Sequence, residues 1–167
     1  IIRRIRNFAT KGQDRKTSED LNDLLRTATQ FTQFSLDAAG IILRQQLSNC
    51  LPNVLIDKLQ IQQVCINLIR NAVDAMAQVP HRDRAMMITS ELHNNEINVR
   101  FVDQGCGVPE ELRTRLFQPF QSSKEGGLGL GLAISHKIIA DHNGKLEYAD
   151  QIGGGSIFSF TLPVVER

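Results

Sequence analysis

Cysteine is scarce and poorly spaced for metal or disulfide chemistry. Cys50, Cys65 and Cys106 are odd in number and form no C-x-x-C pair, so neither a disulfide framework nor a zinc site is expected. An excess of one charge is missing too. With 19 Lys plus Arg against 18 Asp plus Glu, the net charge is +1, and no field points to nucleic acid or an anionic membrane as the main partner. No apolar run reaches the roughly 18 residues of a membrane span. Neither an initiator Met nor a signal-peptide pattern opens the chain. What remains, 41% hydrophobic and 22% charged over 167 residues, is the composition of one ordinary globular domain with at most a short appendage. A reducing, cytoplasmic setting is expected, and the opening IIRRIRNFATKG reads as the continuation of a longer protein.

Ile1, Ile2, Ile5 and Phe8 fall at helical spacing between Arg3, Arg4 and Arg6, the pattern of an amphipathic helix tail with a solvated basic face. Thr17 and Ser18, followed by Glu19 and Asp20, give a helix-start signal for a helix over 18–38. Two short strands follow, at 41–47 and 54–56. Asp57 then caps a long helix that runs to about Ala77, before Pro80. Residues 86–92 and 97–102 alternate as a hairpin across His93-Asn94-Asn95-Glu96. Pro109 opens a short helix to about Phe117, and 118–130 form a long glycine-bearing loop. A helix from Gly131 to Asn143-Gly144 and strands at 145–148 and 156–162 complete the chain. Strands and helices mix without regular alternation, which predicts an α+β two-layer sandwich, a mixed sheet with helices on one face.

Three elements carry chemistry. On the helix after Asp57, Gln60, Gln63, Asn67, Asn71 and Asp74 draw one polar stripe. For the glutamines an ordinary solvent face is the better reading. Asn67 and Asn71 present neutral amides one turn apart, which suit an Mg2+ ion already shared with phosphate. In the second element, Asp103-Gln104-Gly105-Cys106-Gly107, a carboxylate ends a strand beside two glycines. A structural turn and an acceptor for an exocyclic amine such as that of adenine fit equally well. The third, Gly126-Gly127-Leu128-Gly129-Leu130-Gly131, leads into a helix whose N–H groups can hold phosphate. Lys124 just upstream is either a phosphate ligand or a solvated loop lysine.

In this order the elements resemble the catalytic, ATP-binding domain of two-component sensor histidine kinases, in the superfamily shared with gyrase, Hsp90 and MutL. QQVCINLIRNAVDAM is similar to that family's N box, DQGCGV to its first glycine box, LFQPFQSSK to its F box, GLGLGL to its second glycine box and GGGSIFSFTLP to its final glycine-rich strand. The run from Asn71 to Met76 and the QSSK segment look most like FixL-type and nitrogen-regulation kinases.

The resemblance implies ATP and Mg2+ as cofactors, with Asn71 on the ion, Asn67 on ion or phosphates, and Asp103 on adenine with a water near Ser156. Gly105 and Gly107 would shape the adenine pocket, Phe117 and Phe120 would anchor the lid, Lys124 would steer phosphates, and Gly127, Gly129 and Gly131 would let the lid close. For both phenylalanines, core packing explains the sequence as simply.

The same resemblance reads residues 1–16 as the tail of a dimerisation helix plus linker, and 17–167 as the catalytic domain. ATP-hydrolysing relatives place a glutamate where Asn67 stands, and an amide cannot act as a base. Phosphoryl transfer is therefore expected over hydrolysis; a non-catalytic nucleotide sensor and an ATP-hydrolysing machine are the alternatives. None of His81, His93, His136 or His142 has the setting of a phosphoacceptor. The acceptor is expected on a dimerisation domain of the same protein, the next recipient on a response regulator receiver domain, and the whole protein as a homodimer whose isolated catalytic piece is monomeric. His81-Arg82-Asp83 mimics a Ser/Thr/Tyr kinase loop by coincidence, since Ile88 stands where that motif needs its metal asparagine. Cys106 reads as an unreactive thiol.

Overall fold

The computed structural model describes residues 15–121 and 129–164. In chain order it contains Thr17–Glu19 (β1), Leu21–Ala38 (α1), Ile42–Leu47 (β2), Val54–Ile56 (β3), Lys58–Ala75 (α2), a 3-10 turn at His81–Asp83, Ala85–His93 (β4), Glu96–Asp103 (β5), Glu110–Arg113 (α3), Gly131–Asp141 (α4), Lys145–Asp150 (β6) and Ser156–Pro163 (β7). Five strands form one sheet in the order β2-β4-β5-β7-β6. The β2–β4 pair is parallel and the other three are antiparallel, so the sheet is mixed. β1 and β3 make a separate antiparallel pair.

Strand alternation decides which face carries helices. On β5, Ile97, Val99, Phe101 and Asp103 are buried, and on β7, Ser156, Phe158, Phe160 and Leu162 are buried, while the residues between them are half-buried or exposed. The buried rows meet α1, α2 and α4, whose apolar faces supply Leu24, Leu25, Val64, Leu68, Ile69 and Ile139 to one continuous core. The sequence expectation of a mixed sheet with its helices on one face holds.

The hairpin turn is a product of local chemistry. Asn94 and Asn95 both adopt positive φ, 48° and 62°, the conformation that two-residue hairpin loops require and asparagine tolerates better than most residues. Asp57 caps α2 as expected, its carboxylate accepting from the N–H groups of Leu59 and Gln60 at 3.0 and 3.2 Å.

Two boundaries differ from the sequence reading. Thr17 and Ser18 do not begin α1: they pair with Ile56 and Leu55, and Thr17 spends its hydroxyl on Glu19 at 2.7 Å. The cap is Asp20, which accepts from Asn22 and Asp23. The signal was real, but Thr17, Ser18 and Asp20 all offer cap side chains within four residues, and pairing with a distant strand chose among them. The helix after Pro109 is shorter than expected, ending at Arg113, because the following amides bond three residues back, as from Gln118 to the Arg115 carbonyl at 2.9 Å.

Candidate nucleotide-binding site

α2 is the rail along which the site is built. Asn67, Asn71 and Ala75 follow each other four residues apart and so share one face. At the far end of that face Ala75 meets the first glycine box. Its carbonyl accepts from Cys106 N–H at 3.1 Å, and a Cβ on Gly105 would lie 2.7 Å from both the Ala75 Cβ and the Asp103 Oδ1. Only glycine fits that wedge. At the near end Asn67 meets α4: its Nδ2 donates to Ser135 Oγ at 3.0 Å, and a Cβ on Gly131 would lie 2.5 Å from Asn67 Oδ1. Asn71, half-buried, lies midway along the same helix face.

Asp103 is delivered by the alternation of β5, which turns its carboxylate to the helix side behind Phe101, Val99 and Ile97. It is 3% exposed. Burial raises its pKa to about 6, against the stabilising amides of Gly105 and Ser156. The Gly105 N–H donates to it at 2.8 Å. At neutral pH the carboxylate is largely ionised, desolvated and fixed, a strong acceptor aimed by its surroundings.

The exit from the glycine box is tied to β6. Gly107 has φ +73°; after it, Val108 N–H donates to the Tyr148 hydroxyl at 3.2 Å and that hydroxyl donates to Asp150 at 2.7 Å. Arg113 closes the ring, with Nε on the Val108 carbonyl at 3.0 Å and a 2.7 Å ion pair to Asp150. Arg113, Phe117, Tyr148 and Asp150 line an open cleft of about 440 Å³ beside it.

Phe120 and Gly129 are held together by a backbone bond. Phe120 N–H donates to the Gly129 carbonyl at 3.1 Å. Gly129 sits at φ +63°, and a Cβ there would strike the Gln121 backbone. Phe120 itself has φ +62° and a ring that is 74% exposed. The ring that packs is Phe117, which stacks on His136 at 5.2 Å between centroids and touches the core. Lys124 and Gly127 lie outside the described residues.

Ser156 is buried and directly opposite Asp103 in the β5–β7 register. The sequence reading did not single out Gly155, whose φ is +106° and whose Cβ would run into the Asp103 carbonyl; the run Gly153-Gly154-Gly155 was its signal. Nor did it find Ser135, Ala75 or Tyr148, none of which belongs to a pattern by itself. His142, one of the four histidines without a phosphoacceptor setting, caps the end of α4. It is 3% exposed, bonded through Nδ1 to the Ile138 carbonyl and accepting the Asp57 N–H at Nε2, so it joins the end of α4 to the start of α2. Burial lowers its basicity and keeps it neutral enough to accept. Cys65 is buried, and its thiol is pushed up by desolvation; Cys106 is exposed.

Comparison with known proteins gives this geometry a family. Residues 56–166 match the model of the histidine kinase-, DNA gyrase B-, and HSP90-like ATPases. The chain belongs to this ATPase family. Within it, the kinase branch is shown by the catalytic domain of histidine kinase ThkA, 33% identical with a TM-score of 0.79, over 89% of this chain and 95% of that one. FixL of Bradyrhizobium diazoefficiens is 37% identical over 100% of this chain and 33% of its own length. ShkA, solved full-length with AMPPNP, is 25% identical with a TM-score of 0.83, over 98% of this chain and 34% of that one. The kinase domain spans about a quarter to a third of the first curated relatives it matches. No helix among its described residues is long and apolar enough to cross a membrane.

Proposed function

We propose that this histidine kinase catalytic domain binds ATP with Mg2+ in the cleft between α2, the glycine box and α4. We further propose that it gives the γ-phosphoryl group to a histidine on a dimerisation domain of the same protein, for relay to a response regulator aspartate. The observation that carries the reading is that one face of α2 touches the glycine box at Ala75 and the lid-side helix at Asn67. Eight residues of helix separate them, about 12 Å, a span on the scale of a nucleoside triphosphate.

Asp103 accepts the adenine amino group at the Ala75 end. The glycines at 105 and 107 let the base approach the backbone. The first N–H groups of α4, with the positive end of its dipole, receive the phosphates. Among the described residues no three His, Cys, Asp or Glu side chains gather for a metal. This fits Mg2+, which keeps waters and substrate phosphates and needs few protein oxygens. Asn71 supplies one and Asn67 stands beside it. The ion supplies charge neutralisation on the transferring group; the chain supplies position and a dry, polarised cleft. Lys124 and Gly127 are assigned to phosphate steering and lid closure through the family resemblance.

Residues 1–16 are read as dimerisation-helix tail and linker, and a dimeric whole protein with a monomeric isolated domain follows from that reading. With Asn67 in the place of a general base, hydrolysis is not the assigned reaction. The test is transfer in trans. Supplied with Mg-ATP labelled on the γ-phosphate and a dimerisation domain carrying the acceptor histidine, the domain should form phosphohistidine, labile to acid and stable to base. Nucleotide binding without phosphohistidine would make it a sensor, and steady phosphate release would make it an ATPase.

A further inference from the structure

Asn67 has two chemically opposite faces. Its carbonyl oxygen suits a cation; its two N–H donors suit a phosphate oxygen and repel a cation. Which face reaches the cleft depends on what holds the other, and that contact is on α4. Ser135 is 2% exposed, one turn beyond Gly131, and its Oγ accepts from Asn67 Nδ2 at 3.0 Å. The Asn67 oxygen is thereby turned toward Gly131, where only the absence of a Cβ leaves it room. A helical serine can return its own proton to the carbonyl four residues earlier, which leaves its oxygen free to accept.

We propose that Ser135 is a positioning residue: by occupying the N–H side of Asn67 it fixes the carbonyl oxygen at the first turn of α4, beside Gly131, where the phosphates are read to sit, and makes nucleotide binding favour the metal-loaded form. This rests on the reading above that Asn67 meets the ion or the phosphates. Serine at 135 is thus a determinant of metal preference that touches neither metal nor nucleotide.

The test is the ratio of AMPPNP affinity with saturating Mg2+ to that in EDTA, measured by calorimetry on the whole 167-residue chain. Ser135→Ala frees the amide to flip, and the ratio should fall about fivefold, the scale of one lost hydrogen bond. Ser135→Thr keeps the oxygen and should recover most of the ratio. In an Asn67→Ala background, Ser135→Ala should change the ratio by less than twofold, because its effect passes through Asn67. An unchanged ratio in Ser135→Ala, or a fivefold drop that persists without Asn67, overturns the proposal. If Asn67→Ala alone leaves Mg-dependent binding intact, it is the placement of Asn67 at the nucleotide that fails.

Discussion

The two ends of the α2 cleft are held in different ways. At the Ala75 end the contacts are backbone and wedge: Cys106 N–H on Ala75, Gln104 N–H on Ala85, Gly105 between Asp103 and Ala75, Gly155 against the Asp103 carbonyl. At the Asn67 end they are side chains and one backbone bond: Asn67 on Ser135, Phe117 on His136, Phe120 on Gly129. Backbone contacts in a β-sheet rim cannot repack without breaking strand pairing, whereas side-chain contacts exchange at low cost. On the proposed reading, the first end would hold the base in one pose and the second would yield more readily.

The comparison breaks most visibly at glycine. Gly105→Val should cost about 1–3 kcal/mol of stability by overpacking and reduce nucleotide affinity more than tenfold, read by thermal denaturation and calorimetry. Gly129→Ala, strained by about 1–2 kcal/mol at its positive φ and set against the Gln121 backbone, should lower the melting temperature less than Gly105→Val, because it lies outside the hydrophobic core. Equal effects of the two would erase the distinction between a rigid and a yielding end.

At the rigid end, Asp103→Asn should weaken ATP binding by about 1.5–3 kcal/mol through a lost charge-assisted hydrogen bond, roughly ten- to 150-fold. Fluorescence titration that finds no loss contradicts the adenine assignment. Asp103 also links pH to the two properties in opposite senses. Its pKa is raised from 3.8 to about 6 by burial, so between those values the folded state holds a proton the unfolded chain has released. Its contribution to stability is therefore full below about pH 4 and lost as pH rises through 6. Affinity for ATP should run the other way, falling as pH drops below 6 and the acceptor is protonated. In Asp103→Asn both slopes over pH 4–6.5 should flatten relative to the parent chain.

At the yielding end the effects are smaller. Asn71→Ala should cost about tenfold in affinity with Mg2+, the worth of one charge-assisted contact, and little in EDTA. His136→Ala, which removes a ring stack of about 0.5–1.5 kcal/mol, should weaken ATP only severalfold and leave adenosine binding unchanged; a loss of adenosine binding would mean that this end supports the base as well.

The rigid end was also the more legible in sequence. Asp103, Gly105 and Gly107 are neighbours in the chain, and their chemistry is local: a strand-end acid and glycines where φ or space demands them. The same holds for the Asn94-Asn95 turn and for the Asp57 cap. What escaped was set by distant partners. β1 exists because Thr17 and Ser18 meet β3, His142 is buried because α4 ends against Asp57, and Ser135 matters because Asn67 lies 68 positions away. A period-3.6 pattern shows which face of α4 is inward, but not that a serine on it finds an amide.

On the proposed reading, the α2 amides and Asp103 line one cleft for one metal-bound nucleotide. Paramagnetic broadening of backbone amide resonances by Mn2+ tests it directly, with AMPPNP present and absent. With nucleotide, the amides of residues 67–71 and 129–132 should broaden most and those of 103–107 should shift and broaden less, as one metal and one purine at opposite ends of the same rail require; without nucleotide, both groups should stay sharp. Strong broadening elsewhere, or a glycine box whose signals never move, contradicts the account.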